Sequence, residues 1–382
     1  MRETDGTDRA GGTDAVDAVD EVVRAALRRA VGHGVRFEAR FAAYFAAAAD
    51  PAGGGAGVLP GRGAFPGRAL ELVRELSLRG GKRLRVALLH EAAALVAADP
   101  VPGADTAAVC VELLHTHGLI HDDLIDDAPV RRGGPSTYYA YRAEFPDRPD
   151  TARALTVLAG DLAAFLAVRV LLTGDLPPAR AAAMAAVATE AGAAAVNGQL
   201  LDLERDFEPD TGTEFLHEVT EYKSTRYSVL APLRLGLLAA GADPAPYDAE
   251  LRGYASAVGT ANQIHDDLLD LFGDPAVLDK PLGTDIRSGR RSYLVRALAA
   301  AADGPERALL EGALGNPDTD DDTLDRLRRT ARARGVEREL RDSAARFARE
   351  AAERAAAWRG RWRPEAVAFF EHLPAWSVTR GH

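Results

Sequence analysis

The sequence has little of what would suggest a secreted or nucleic-acid-binding protein. A single cysteine, Cys110, lies within an apolar run among 382 residues. One cysteine cannot form an intramolecular disulfide, and chains without disulfides are typical of reducing compartments. The net charge is −11 and no block of basic residues appears, so nucleic acid is not an expected partner. Because the first residues contain no hydrophobic run, we expect no signal peptide, no transmembrane segment and a cytoplasmic location.

Lysine is nearly absent. Of the 46 basic residues only Lys82, Lys223 and Lys280 are lysines, which leaves 43 arginines. Lys82 stands in Gly-Gly-Lys-Arg-Leu-Arg, Lys223 in Tyr-Lys-Ser-Thr and Lys280 in Asp-Lys-Pro. Ammonium and guanidinium groups bind phosphate oxygens, the first as point charges and the second as bidentate forks. These positions therefore favour phosphate binding, although three lysines could also fall there by chance.

Convincing β-strands are missing as well, and helical periodicity dominates. The spacing predicts helices that include 15–49, 213–240 and 324–359, and it predicts a solvated acidic loop at 318–322. Residues 1–14 are polar and glycine-rich, which predicts a disordered tail. The expected architecture is one all-α domain over residues 15–382.

What the chain does have is two acidic clusters of one pattern, each preceded by a histidine and an apolar run. They comprise Asp122, Asp123, Asp126, Asp266, Asp267 and Asp270. On a helix, aspartates at i, i+1 and i+4 share one side and repel each other. Hard divalent ions prefer oxygen ligands, and Mg²⁺ is usually held by a few carboxylates together with substrate phosphates. The pair predicts a metal-bound diphosphate, whereas the alternative of two solvated helix ends is weaker for a matched pair.

The ordered motifs from Gly80 to Val295 resemble those of the polyprenyl synthetase family, the trans-isoprenyl diphosphate synthases. The resemblance implies an isoprenoid-synthase helical bundle with a central cavity. It also implies head-to-tail prenyl transfer between isopentenyl diphosphate and an allylic diphosphate, three Mg²⁺ ions in each active site, and a homodimer. A terpene cyclase usually pairs one aspartate motif with a different metal motif, and a non-catalytic synthase subunit should have lost acidic ligands. Both are therefore less favoured alternatives.

The resemblance also assigns roles to residues. The six clustered aspartates would bind the metals, Asp270 either directly or through water. The allylic diphosphate would be bound by the catalytic residues Arg131, Lys223, Gln263 and Lys280, with Ser224 beside them. Isopentenyl diphosphate would be bound by Lys82, Arg85, His115 and Arg132. Asn197, Gly198, Gln199 and Asp202 also match a family motif, but packing between helices explains them equally well, so they are not included.

The residues just before the first acidic cluster bear on the length of the product. Gly118 and His117 lie one turn before the first aspartate, where the allylic tail would lie. Glycine leaves room there, so we expect a twenty-carbon product, geranylgeranyl diphosphate, with farnesyl diphosphate or a longer chain as alternatives.

Val86, Ser224, Asp279 and the pair Arg290-Arg291 differ from the usual family residues, but none of them removes a metal ligand.

Overall fold

In the computed structural model the described residues are 10–50, 57–60, 62–205, 207, 212–274 and 282–379. The first half contains α1 (Ala10–Ala49), α2 (Ala64–Leu78), α3 (Leu84–Ala94), α4 (Pro102–Ile125), α5 (Thr137–Glu144), α6 (Pro149–Thr173) and α7 (Pro178–Glu204). The second half contains α8 (Thr213–Thr220), a π-helix (Glu221–Leu230), α9 (Ala231–Ala239), a 3₁₀ turn (Ala245–Tyr247), α10 (Asp248–Phe272), α11 (Thr284–Arg287), α12 (Tyr293–Ala301), α13 (Gly304–Ala313), α14 (Asp321–Ala333), α15 (Val336–Ala356) and α16 (Pro364–Thr379).

The predicted all-α class is confirmed. The described strands are only β1 (Val130–Arg131) and β2 (Gly134–Pro135), which form a two-stranded antiparallel hairpin. Arg132 and Gly133 at its turn both have positive φ, 52° and 70°. The hairpin follows α4 directly, so it holds Arg131 and Arg132 beside the end of that helix.

Two long helices, α4 and α10, organise the core. α4 packs against α6, α3, α9 and α7, and α10 packs against α15 and the π-helix. Leu113 and Ile120 on α4 and Leu251 and Leu271 on α10 are completely buried, and each such side chain contributes about 1.5–3 kcal/mol through the hydrophobic effect. The first acidic cluster lies at the C-terminal end of α4 and the second lies near the C-terminal end of α10. The same packing that forms the core therefore fixes both clusters.

The π-helix is held close to both neighbours by glycines. A Cβ atom added at Gly198 on α7 would lie 2.1 Å from the backbone nitrogen of Lys223. One added at Gly259 on α10 would lie 1.9 Å from the hydroxyl oxygen of Thr225. Larger residues at these two positions would push the segment away. The sequence predicted a single helix over residues 213–240, and the structure changes its winding in the middle, as is frequent at functional sites.

Several predicted boundaries were wrong. The helix predicted over residues 324–359 is broken at Gly335, whose φ of 77° lies in the left-handed region. The acidic stretch 318–322 is only partly a loop, because the Asp320 carboxylate accepts a hydrogen bond from the Thr323 backbone and caps α14. α1 begins at Ala10, five residues before its predicted start. Residues 1–9 of the predicted tail lie outside the described residues.

One described helix, α6, is long and apolar enough to cross a bilayer by length and composition. However, 44% of its most apolar window is buried inside the protein. Ala159 and Ala163 belong to the same apolar cluster as the buried face of α4, and a core helix passes the same test. On its outer side Leu158, Phe165 and Leu172 are exposed. α6 is therefore a packed helix with an apolar outer face.

Candidate active site

The second acidic cluster lines a cavity between α7, α8, the π-helix and α10, and one arginine of that cavity contacts the first cluster. This central cavity has a volume of about 200 Å³ and is lined by Asp202, Arg205, Leu216, Val219, Thr220, Lys223, Ser224, Gln263, Asp266, Asp267, Asp285, Arg290, Ser292 and Tyr293. Arg290 connects the clusters. Its guanidinium lines the cavity beside Asp266 and Asp267, and it donates hydrogen bonds of 3.1 Å to both carboxylate oxygens of Asp126. Residues 164 positions apart in the sequence are thereby in direct contact.

The carboxylates in this region are kept from ionising freely. Burial raises the pKa of Asp122, and the nearby Asp126 charge adds to that effect, although Lys223 and Arg290 oppose it. Burial also raises the pKa of Asp123 against the opposing effect of Arg131. Both residues lie at the C-terminal end of α4, where the helix dipole is negative and further disfavours anions. The cluster therefore favours binding of a cation.

Three of the six aspartates, Asp123, Asp267 and Asp270, are buried and accept hydrogen bonds from other parts of the chain. Asp123 accepts a 2.7 Å hydrogen bond from Nε of Arg131, while its other oxygen, Oδ2, is buried and has no hydrogen-bond partner. Asp267 accepts bonds of 2.8 Å from the Gln263 amide and from the backbone of Tyr293.

Asp270 accepts a bond of 3.0 Å from the backbone of Asp285, and its own carbonyl accepts one of 2.7 Å from Gly283. These bonds fix the position of Gly283 and Asp285, which follow α10 in the sequence. Burial raises the pKa of Asp267 well above its usual range, and the nearby Asp285 charge adds to this. The remaining three aspartates are more open: Asp126 is exposed, and Asp122 and Asp266 line cavities.

Lys223 lies on the π-helix at the wall of the central cavity. Its ammonium donates a 2.5 Å hydrogen bond to Asp202 on α7, and Arg205 lies 2.8 Å from the same carboxylate. Burial alone would raise the pKa of Asp202, but Lys223 and Arg205 outweigh it and the pKa is lowered. Ser224 lines the cavity next to Lys223. Lys280, the other predicted lysine of this region, lies outside the described residues.

A second cavity contains all four residues predicted to bind the second diphosphate. This basic cavity has a volume of about 400 Å³ and is lined by Gly81, Lys82, Arg83, Leu84, Arg85, Glu112, His115, Arg132, Asn262, His265, Asp266, Leu269 and Ser377. Gly81 has a φ of 144°, and a Cβ atom there would lie 3.2 Å from the Arg132 guanidinium. The glycine thus leaves space for Arg132. Asp266 lines both this cavity and the central one.

The basic cavity carries uncompensated positive charge. Burial lowers the pKa of Arg132, and Arg83 and Arg85 lower it further despite the opposing effect of Glu112. Burial and Arg85 also lower the pKa of His115 well below its usual range, so this imidazole is neutral and accepts a 3.0 Å hydrogen bond from Arg132 at Nε2. Nδ1 of His115 and Nε of Arg85 are buried and have no hydrogen-bond partner. Such donors favour an anion.

Arg83 also lines the basic cavity, but its guanidinium is bound by carboxylates of the protein. It is buried and forms ion pairs with Glu38 at 2.7 Å and with Glu112 at 2.5 Å. It also donates to the backbone carbonyl of Ser77. Because these partners use most of its donors, Arg83 ties α1, α3 and α4 together.

A third, apolar cavity adjoins the central one. It has a volume of about 280 Å³ and is lined by Leu114, His117, Gly118, His121, Asp122, Ile125, Gly192, Ala195, Val196, Gln199, Leu200, Leu203, Lys223, Ser224 and Tyr227. Both positions predicted to line a hydrocarbon channel, His117 and Gly118, are present. A Cβ atom added at Gly118 would meet nothing within 4 Å. Lys223 and Ser224 line both cavities, so a polar head and an apolar tail can bind side by side.

Tyr227 connects the apolar and basic cavities. Its ring lines the apolar cavity, and its hydroxyl accepts a 2.9 Å hydrogen bond from Arg85 of the basic cavity. Arg85 also donates a 2.8 Å bond to the Ser228 hydroxyl. These contacts join all three cavities into one composite site, with the π-helix at its centre.

Comparison with known proteins assigns the family. The model of the family described as polyprenyl synthetase matches residues 68–330. The chain belongs to the polyprenyl synthetase family. It is 32% identical over 254 residues, 66% of this chain and 74% of the relative, to a short chain isoprenyl diphosphate synthase of Methanothermobacter thermautotrophicus. It is also 32% identical over 231 residues, 59% of this chain and 73% of the relative, to the farnesyl diphosphate synthase of Escherichia coli.

Solved structures agree with that assignment. A geranylgeranyl pyrophosphate synthase from Corynebacterium glutamicum, complexed with isoprenyl diphosphate and magnesium, superposes with a TM-score of 0.81 at 25% identity. The match covers 91% of this chain and 98% of that one. The present chain is accordingly a trans-prenyltransferase, a prenyl diphosphate synthase. The resemblance inferred from its motifs is confirmed.

The donor set of this polyprenyl synthetase fits a hard divalent cation. Asp122, Asp126 and Asp266 offer oxygen ligands, and the buried Oδ2 of Asp123 has no hydrogen-bond partner. Within the described ranges, no group of three carboxylate, imidazole or thiol side chains could hold a metal ion alone. A cation here would therefore need further oxygens, and Mg²⁺ commonly takes them from substrate phosphates and water.

Sequence reasoning missed several residues of this prenyltransferase site. Asp202 had a signal, its match to a family motif, but packing explained it equally well. Arg290 appeared only as a departure from the family pattern. Asp285 lies in the second motif but was given no role, and Tyr227 carried no signal, because its position depends on contacts between distant helices.

Proposed function

We propose that this enzyme condenses isopentenyl diphosphate head to tail with an allylic diphosphate and releases mainly geranylgeranyl diphosphate. The observation that carries the proposal is the arrangement of three adjoining cavities: one with carboxylates and Lys223, one basic and one apolar. The allylic diphosphate is the electrophile and isopentenyl diphosphate is the nucleophile, so each needs its own anion site. A growing prenyl chain also needs an apolar channel. Asp266 and Tyr227, which each contact two of the cavities or their residues, bring these requirements together.

In this proposal the allylic diphosphate lies in the central cavity with its tail in the apolar one. Asp122, Asp126 and Asp266 would hold Mg²⁺, with the more buried Asp123, Asp267 and Asp270 supporting them. Bound Mg²⁺, which we take to be three ions as the family resemblance implies, supplies charge neutralisation of the departing diphosphate. Lys223, Ser224 and Gln263 line the cavity directly, and Arg131 and Lys280 add positive charge.

The basic cavity positions the nucleophile. Lys82, Arg85, His115 and Arg132 would bind the diphosphate of isopentenyl diphosphate, so that its double bond faces the allylic carbon. The allylic carbon–oxygen bond breaks, and the electron pair leaves with the diphosphate. The double bond then attacks the cation and forms the new carbon–carbon bond, and a proton is lost from carbon 2. We assign that proton to the departed diphosphate, because the carboxylates of the site are engaged in ion pairs or metal binding.

The proposed twenty-carbon product rests on the apolar cavity. Gly118 leaves its wall open, whereas His117 is kept in place by a 3.1 Å hydrogen bond between Nδ1 and the carbonyl of Gly160. Incubation with Mg²⁺, isopentenyl diphosphate and each allylic primer, followed by sizing of the products, tests the assignment. A dominant twenty-carbon diphosphate is expected. A single fifteen-carbon product or a chain beyond twenty carbons would refute the length, and a cyclised hydrocarbon would refute the reaction class.

The assembly and location are part of the same proposal. α6 exposes Leu158, Phe165 and Leu172 on its outer side, and neighbouring exposed apolar side chains mark interaction surfaces. We propose that a second copy of the chain covers this face in a cytoplasmic homodimer. Sedimentation should give twice the chain mass for the wild type and a monomer for Phe165→Glu. A monomeric wild type would contradict the assembly.

A further inference from the structure

Arg290 links the first acidic cluster to the wall of the central cavity, where the second cluster lies. It follows α11 and precedes α12, and its guanidinium donates to both oxygens of Asp126 at 3.1 Å. Burial alone would lower its pKa, but the carboxylates of Asp126, Asp202 and Asp285 outweigh burial and raise it. The guanidinium is therefore always charged, and it neutralises the acidic region.

This contact competes with metal binding. The Nη2 nitrogen of Arg290 donates to both oxygens of Asp126, so the guanidinium occupies the side of the carboxylate that a cation would otherwise approach. Asp126 belongs to the set that offers oxygens to Mg²⁺ in the proposed function. Arg290 and a metal ion cannot both bind the same face of Asp126, so one must leave before the other binds.

The central cavity offers Arg290 a second partner. Arg290 lines that cavity together with Lys223 and Ser224, where the allylic diphosphate is proposed to bind. Phosphate oxygens accept from a guanidinium fork as well as a carboxylate does. A bound diphosphate could therefore accept hydrogen bonds from Arg290 in place of Asp126 when the Asp126 carboxylate binds a metal ion.

We propose that Arg290 is a counter-ion latch, which neutralises Asp126 in the metal-free enzyme and moves to the diphosphate when metal and substrate bind together. This inference rests on the proposed binding of a metal-bound diphosphate. The latch makes the acidic site a poor metal site until a diphosphate arrives. It thereby links the binding of metal and diphosphate, and such a link acts equally in both directions.

Binding of Mn²⁺ alone, measured as the loss of the free-ion electron paramagnetic resonance signal, tests the latch without any turnover. Arg290→Gln should bind Mn²⁺ roughly three- to tenfold more tightly than the wild type, since a charge-assisted pair is stronger than a neutral hydrogen bond but is still screened where it is partly exposed. Arg290→Lys keeps the charge but loses the guanidinium, so its affinity for Mn²⁺ should fall between the two. Arg291→Gln removes the same charge one residue away and is the matched control.

A second readout guards against a misfolded variant. Without metal, Arg290→Gln should melt at a lower temperature than the wild type, and Mn²⁺ should raise its melting temperature by more. If Arg290→Gln and Arg291→Gln bind Mn²⁺ with the same affinity, general electrostatics explains the effect and the latch is refuted. If the variant binds as expected but the wild type makes no prenyl product, the proposed function fails while the latch at Asp126 stands.

Discussion

The acidic clusters and the basic cavity both hold like charges in half-buried positions, but they relieve the repulsion differently. On the acidic side the carboxylates have cationic partners inside the protein: Arg131 pairs with Asp123 and Arg290 with Asp126. On the basic side Arg85 and Arg132 donate to the neutral groups Tyr227, Ser228 and His115. The acidic side must therefore exchange partners when it binds a metal, whereas the basic side is ready to accept an anion directly.

The largest expected effect is on the acidic side. Asp266→Asn should lower kcat by about 10²–10³-fold, the usual loss when a group that stabilises transition-state charge is removed. Its melting temperature should fall less than that of Asp267→Asn, because Asp266 is exposed whereas Asp267 is buried. Initial rates with radiolabelled isopentenyl diphosphate and thermal melts measure the two quantities.

Asp267→Asn is the matched control. Both carboxylate oxygens of Asp267 accept hydrogen bonds, and an amide nitrogen in one of those places would face a donor. This variant should therefore lose stability, by roughly 1–3 kcal/mol for the buried mismatch. Equal loss of stability in both variants would contradict the separation of open and buried aspartates.

On the basic side, Arg132→Gln should raise the KM for isopentenyl diphosphate by about 10–100-fold, because a hydrogen bond to a charged group contributes about 1.5–3 kcal/mol. The KM for the allylic substrate should change little. Arg83→Gln offers the contrast, because it breaks the buried ion pair with Glu112 and should destabilise the fold by about 3–5 kcal/mol. Steady-state kinetics and urea unfolding separate these outcomes, and an equal rise in both KM values for Arg132→Gln would contradict a dedicated anion site.

A smaller effect concerns product length. Gly118→Phe should shorten the main product by at least one five-carbon unit, because the ring would enter the apolar cavity. Stability should be nearly unchanged, since an added Cβ atom there has no close neighbour. Chromatography of the dephosphorylated products measures the length. An unchanged product spectrum would show that the tail does not pass this position.

The smallest expected effect is a dependence of stability on pH. The pKa of His115 is lowered by burial and by Arg85. In acid, His115 is therefore protonated in the unfolded chain but stays neutral in the folded protein. Stability should hold above the ordinary histidine pKa of about 6.5 and fall below it. His115→Asn should lose less stability between neutral pH and about pH 5.5 than the wild type. Pyrophosphate should protect the wild type in the same range, because an anion offsets the charge of the neighbouring arginines.

Helical periodicity predicted the all-α class, the sequence motifs marked both aspartate clusters, and the family resemblance pointed to the four residues Lys82, Arg85, His115 and Arg132, because motifs and helical spacing are local properties. Helical periodicity did not predict the π-helix, since the close approach that Gly198 and Gly259 allow this segment depends on neighbouring helices. It also missed the break at Gly335, where a single φ of 77° ends one helix and begins another. The contact between Arg290 and Asp126 joins residues 164 positions apart, which no local pattern specifies.

The central claim is that both aspartate clusters hold metal for a single diphosphate. Calorimetric titration of pyrophosphate into the enzyme, with and without Mg²⁺, tests it directly in the wild type, Asp122→Asn and Asp266→Asn. The account predicts that Mg²⁺ strengthens pyrophosphate binding in the wild type and that either substitution alone removes most of this gain. Retention of the full Mg²⁺-dependent gain in either variant would contradict a shared site.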